Sequence, residues 1–126
     1  MIVGIGTDLV LVSRIRASLD RFGDRFAQRI LVEKELVDFA TARAPEYFLA
    51  KRFAAKEAVS KALGTGMRHG VTFGSIQISH DGAGKPLVIL LGDAADLAER
   101  KGIAHLHLSL SDEKDQALAF VVAETG

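Results

Sequence analysis

From Pro45 to Gly64 the chain runs without a further proline or any glycine and is rich in alanine, which predicts one long helix over residues 45–63. Pro45 suits its first turn, and Gly64 and Gly66 suit its stop. Phe48, Leu49, Phe53 and Val59, with Ala55, Ala58 and Ala62, supply an apolar surface against which the rest of the chain must pack. The same helix carries one carboxylate, Glu57, among four cations, Lys51, Arg52, Lys56 and Lys61. Glu57 and Lys61 are four residues apart and meet on one face. As an isolated exposed pair they are worth only about 0.3–0.5 kcal/mol. The surrounding cations and the Gly64-Thr65-Gly66 exit, which bares backbone amides, turn this helix into a candidate site for phosphates and a metal.

The second acid of interest lies far away in sequence. Residues 2–10 alternate Val3, Ile5 and Leu9 with Gly4, Gly6 and Asp8, the period of a strand. Asp8 therefore shares a face with two glycines, whose missing side chains let a helix or a ligand come close beside the carboxylate. Ser13 is the expected cap of a following helix with Ile15, Leu19 and Phe22 inward, Arg14, Arg16 and Arg21 outward, and Gly23 past its end. Further helices are expected over residues 24–31 and 33–42, the latter with Leu36, Phe39 and Ala40 inward, and a loop over 67–74 carrying Arg68 and His69.

Beyond that loop the period changes to two. Ile76 and Ile78, the turn chemistry of residues 81–86 and the apolar run 87–91 read as a hairpin. Asp93 caps a short helix that stops at Gly102, and Leu106, Leu108 and Leu110 then alternate with His107, Ser109 and Ser111. A turn at residues 112–115 leads into a last strand over 117–123. The expected fold is α+β, one domain with helices gathered over one face of a mainly antiparallel sheet.

At 126 residues the chain can bury roughly two thirds of its unfolded surface around one core. Sixteen basic and sixteen acidic residues cancel, so charge-driven nucleic-acid binding is not expected and any anion site must be local. No apolar run approaches the roughly 18 residues of a membrane span. With no cysteine and no leader-like segment, a cytoplasmic location is the expectation.

Magnesium prefers oxygen ligands and is usually held by one or two carboxylates together with substrate phosphates. Asp8 and Glu57 meet that demand if the first strand lies beside the long helix, and Arg52 is suited to forked contacts with phosphate oxygens. The four histidines lack the spacing of a zinc helix and read as structural or surface residues. No nucleophile elbow surrounds Ser109 or Ser111, and neither a dinucleotide fingerprint nor a Walker lysine motif is present.

Gly4-Ile-Gly-Thr-Asp8 with Arg14-Ile15, Phe48-Leu-Ala-Lys-Arg-Phe-Ala-Ala-Lys-Glu-Ala58, Lys61-Ala62, Gly64-Thr-Gly66 and Gly84-Lys-Pro86 together resemble the holo-acyl-carrier-protein synthases, a branch of the 4′-phosphopantetheinyl transferases. The resemblance spans nearly the whole chain. It implies transfer of the phosphopantetheine arm of coenzyme A to a serine of apo acyl carrier protein, with release of adenosine 3′,5′-bisphosphate, in support of fatty-acid synthesis. It implies that Asp8 and Glu57 hold magnesium, that Arg52, Lys56, Lys61, Gly64 and Ser109 fall in the coenzyme pocket, and that Glu57, Lys61 and Asp8 carry the chemistry. The proton acceptor is Glu57 or a metal-bound water. Arg14, extended by Arg21 and Arg25, sits where such enzymes dock the acidic helix of the carrier protein, and homotrimers with sites between protomers are implied. One position departs: Asp112 stands in a turn where some relatives place a histidine, which leaves Lys61, Lys56 or Arg68 to hold the 3′-phosphate. The rival readings are a non-catalytic module of the same fold that binds coenzyme A or a carrier protein, and a scaffold. Both carboxylates and the lysine argue against them.

Overall fold

Strand β1 (Ile2–Leu11) and helix α4 (Pro45–Ala62) approach one another at the level of their backbones. A Cβ placed on Gly4 would fall on the carbonyl of Ala62, and one on Gly6 on the carbonyl of Ala58. The glycines anticipated beside Asp8 thus make room for the helix itself. The facing side chains are equally small: Ala50, Ala54, Ala55, Ala58 and Ala62 of α4 are buried, as are Ala117, Ala119, Val121 and Ala123 of β5 (Gln116–Thr125).

The computed structural model describes residues 1–126. After β1 come α1 (Val12–Phe22), α2 (Asp24–Ile30), α3 (Glu33–Ala40) and α4. A 3₁₀ turn (Phe73–Ser75) within the expected loop leads to β2 (Ile76–His80), β3 (Pro86–Leu90), α5 (Gly92–Arg100), β4 (Ile103–Glu113) and β5. The α+β expectation holds, with one revision: the strands form two antiparallel sheets, three-stranded β1-β5-β4 and two-stranded β2-β3. Asp8 lies opposite Ala119, Thr7 opposite Phe120, and Phe120 in turn opposite Ser109.

Local details correct the sequence reading. Helix α1 starts at Val12 with no side-chain cap, because the N–H and hydroxyl of Ser13 both donate to the Asp115 carboxylate, at 2.9 and 2.8 Å, and pin the helix to the β4–β5 turn. Phe22 is exposed rather than inward, with the Arg21 guanidinium 5.1 Å from its ring centre. In α3 the buried residue is Glu35; Leu36 and Phe39 are half-buried and Ala40 is exposed.

The sheet face away from α4 is open. Val3, Ile5, Leu9 and Leu11 on β1 and Leu118 and Phe120 on β5 point there, with Ile5 64%, Leu9 58% and Phe120 45% exposed. Ser109 and His107 share this face, since the alternate residue Leu108 is buried on the other side.

The close approach fixes an expected outcome. Replacing Gly6 with Ala destabilises the fold by about 2–3 kcal/mol in urea unfolding, because strand and helix must separate. Gly82→Ala, where an added Cβ meets nothing, changes stability by less than about 0.5 kcal/mol. Equal effects at both positions would show that the strand–helix contact is not tight.

Candidate active site

Asp8 leaves β1 on the side of α4. Lys61, near the end of that helix, donates from Nζ to the Thr7 carbonyl at 2.9 Å and to Asp8 Oδ1 at 3.2 Å. The pair expected within the helix, Glu57 with Lys61, is thus replaced by Asp8 with Lys61 across the strand–helix contact. Glu57 keeps no ion pair of its own. Its carboxyl is pushed above the usual range by partial burial, then by the negative charge of Asp8, with Lys61 opposing. Two acids from distant segments therefore meet closely enough for the charge of Asp8 to be felt at Glu57.

A divalent cation between them would offset that repulsion, and two neighbouring carboxylates, with Asp8 on a cleft, are the donor set magnesium accepts when phosphate oxygens and water fill the remaining positions. No three carboxylate, imidazole or thiolate groups converge anywhere in the chain, so an all-protein cage is not built and the residues fit a metal shared with a ligand. Arg14 and Asp8 line one cleft of about 270 Å³ together with Phe26 and Phe53. Lys61 and Gly64 line another of about 410 Å³ with Lys101, whose ammonium caps the end of α4 through the Leu63 carbonyl at 2.6 Å.

On the opposite flank of α4 the cations are arranged differently. Lys56 is fully buried, and its ammonium donates to the Ile30 carbonyl at 2.6 Å, Glu35 Oε1 at 2.6 Å and the Phe73 carbonyl at 3.1 Å. All three donors are spent, so the expected contact between Lys56 and the coenzyme is corrected: this lysine is a core residue. Burial pulls its ammonium below the usual range, with the Glu35 hydrogen bond and charge opposing. Arg52, 5% exposed, donates from Nη1 to Glu35 Oε2 at 3.1 Å and to the Ile78 carbonyl at 2.6 Å, with its guanidinium 4.5 Å over the Phe48 ring. Glu35 also accepts the N–H groups of Val32 and Ile78, at 2.9 and 3.2 Å. Sequence reading passed over Glu35. Its signal was its place three residues after Val32, where an acid reaches back to the start of its own helix.

The remaining side of Arg52 faces a cavity of about 420 Å³ between α4, the β2–β3 hairpin and β4, where Lys51, His80, Pro86 and Asp112 also stand. Asp112 pairs with Lys51 at 3.5 Å. This cavity shares no lining residue with the Asp8 cleft or with the cleft at Lys61 and Gly64. Ser109, on the open sheet face, joins neither, so a single chain does not bring it to the residues it was expected to accompany. Arg14, Arg21 and Arg25 are all exposed on α1 and α2.

Fold and site together define an α+β protein whose acids and cations gather on both flanks of one helix, an arrangement suited to phosphorylated ligands. The chain belongs to the 4′-phosphopantetheinyl transferase superfamily, whose family model matches residues 4–121. It is 53% identical over 124 residues to the holo-[acyl-carrier-protein] synthase of Vibrio cholerae serotype O1, covering 98% of each chain. The crystal structure of the holo-[acyl-carrier-protein] synthase from Neisseria meningitidis superposes with a TM-score of 0.95 at 50% identity, covering 99% of this chain and 100% of that one. The Bacillus anthracis synthase, solved in complex with CoA (3′,5′-ADP), superposes at 0.83 with 39% identity, over 100% of this chain and 99% of that one.

The Asp8–Glu57 repulsion has a measurable sign. A carboxyl raised by folding favours the native state when protonated and opposes it when ionised, and that benefit is lost as pH rises through the folded value. At pH 7 and without divalent cation, Glu57→Gln therefore raises the melting temperature slightly, by less than about 1 kcal/mol of stability given its half-exposed position. A fall in melting temperature would contradict the repulsion.

Proposed function

We propose that this chain transfers the 4′-phosphopantetheine arm of coenzyme A to a serine hydroxyl of apo acyl carrier protein, yielding holo carrier protein and adenosine 3′,5′-bisphosphate. The observation that carries the reading is the meeting of Asp8, Glu57 and Lys61 across the β1–α4 contact. Relatives named holo-[acyl-carrier-protein] synthase over almost their whole length support it. So does the coenzyme-bound state of structural neighbours.

In the reaction a bond forms between the serine oxygen and the β-phosphorus of the coenzyme, and the bond from that phosphorus to the bridging oxygen breaks. Asp8 and Glu57 would hold a magnesium ion, which when bound would supply positive charge to offset the negative charge of the pyrophosphate. Lys61, anchored by the Thr7 carbonyl, presents its ammonium to the charge that develops on the leaving phosphate. The serine proton passes to Glu57 or to a water beside it. Arg14 lies on the exposed side of α1 and shares the Asp8 cleft, so a carrier protein held by its acidic helix on Arg14, Arg21 and Arg25 delivers its serine to that cleft. The reaction serves fatty-acid biosynthesis in the cytoplasm.

The working form is a homotrimer. Two features support this: the open apolar sheet face, and the separation of the Arg52 cavity from the Asp8 cleft in one chain. A neighbour's sheet face covers Ile5, Leu9 and Phe120, gives Ser109 a partner surface, and lets the cavity of one copy adjoin the carboxylates of the next.

The test is incubation with coenzyme A, magnesium and apo carrier protein, followed by weighing of the carrier. A gain of one phosphopantetheine is expected, and Asp8→Ala or Glu57→Ala lowers the rate by at least about a hundredfold with secondary structure intact. No gain with the unaltered chain would end the enzymatic reading, and full magnesium-dependent turnover in either variant would remove the metal assignment. Sedimentation should report three times the chain mass, and Phe120→Asp should shift it towards one. A monomeric unaltered chain at micromolar concentration would overturn the trimer.

A further inference from the structure

The cavity beside Arg52 holds one titratable ring that the transfer chemistry leaves without a task. His80 ends β2, opposite Pro86, and stands in the cavity wall with Lys51 and Arg52 on α4, Asp38 on α3 and Asp112 on β4. We propose that His80 binds a phosphate group of coenzyme A in this cavity as the imidazolium, so that the coenzyme enters together with a proton. The inference rests on the reading of this chain as a user of coenzyme A.

The cavity walls are cationic, and their cations differ in how far they are committed to the protein. Lys51 is engaged by Asp112. Arg52 Nη1 is held by Glu35 and the Ile78 carbonyl, and the guanidinium plane lies against Phe48. Lys56, the next cation along the helix, is sealed in the core. An incoming phosphate therefore meets the ammonium of Lys51, the N–H groups of Arg52 left free beside Nη1, and His80, the one group in the wall that can gain a positive charge in response.

Its charged neighbours decide its resting state. Partial loss of water, then the cations Arg52 and Lys51, hold the imidazole below its ordinary range, against the opposing pull of Asp38 and Asp81. Neither acid forms an ion pair with the ring, and one carboxylate oxygen of Asp81 is committed to the N–H groups of Ala83 and Lys85, at 2.8 and 2.9 Å. The ring thus rests neutral at pH 7 beside two cations. A phosphate dianion reverses that field and makes the imidazolium the favoured form. The sign is fixed: the bound anion favours the cation, so binding tightens as pH falls through the histidine range.

The experiment is calorimetric titration of the intact protein with coenzyme A near pH 6.5, in two buffers of different ionisation enthalpy, for the unaltered chain and His80→Gln. The comparison between chains cancels protons that the coenzyme's own phosphates exchange. The unaltered chain is expected to take up a larger fraction of a proton than His80→Gln. The variant is expected to lose roughly tenfold in affinity at pH 6 and far less at pH 8. An unchanged melting temperature of His80→Gln, an exposed position, separates this effect from unfolding. Equal proton uptake by both chains, with coenzyme A still bound, overturns the role of His80 alone. No binding heat with the unaltered chain at any pH overturns the use of coenzyme A and this inference with it.

Discussion

The contact between β1 and α4 is the constraint on which the rest depends. It is built from absence, two glycines facing the carbonyls of Ala58 and Ala62, and it brings the backbone of one element to that of the other. Any side chain at Gly4 or Gly6 would hold Asp8 away from Lys61 and Glu57. Because helix and strand are rigid at this scale, the acids need no loop to position them. The arrangement opposes itself electrostatically, since Asp8 and Glu57 raise one another's free energy when both are ionised. Lys61 relieves part of this through Asp8, and a dication held between the two carboxylates would relieve the remainder.

Across the helix, the Glu35 cluster does the opposite work. Its four acceptor contacts draw α3, α4 and β2 together, and Lys56 extends the same network to the Ile30 carbonyl at the end of α2. Removing one partner of such a buried ionic group typically costs about 3–5 kcal/mol, because a bare charge is left in the core. One acid faces two cations, so the cluster carries a surplus of positive charge, and Arg52 brings that surplus to the wall of the neighbouring cavity. Stability and ligand attraction are thereby coupled through one carboxylate.

Much of this was legible in the residues. The alternation of β1 with its inward glycines, the uninterrupted helix through Lys61 and the lone acids Asp8 and Glu57 are strong local patterns, and the fold keeps them in place. What sequence could not give was the destination of each cation. Lys51, Arg52, Lys56 and Lys61 look alike on paper, yet one pairs with Asp112, two with Glu35 and one with Asp8, because helical rotation aims them at different neighbours. Periodicity placed Leu36 and Phe39 inward, whereas the buried position of α3 went to Glu35, whose partners lie 17 and 21 residues away. The split into two sheets and the side on which Ser109 emerges depend on strand order, to which pattern is blind. His80 looked like a surface histidine because the cations that surround it arrive from other elements.

The usual hydrophobic order is inverted in strands β1 and β5: alanine, glycine and valine face the helix, while isoleucine, leucine and phenylalanine face water. Much of the apolar area that ordinarily stabilises a domain is therefore withheld from the lone chain and released only when the outer face is covered. The thermodynamic result is mass action. With trimerisation, resistance to heat becomes a property of the solution as much as of the sequence, rising with protein concentration and falling on dilution.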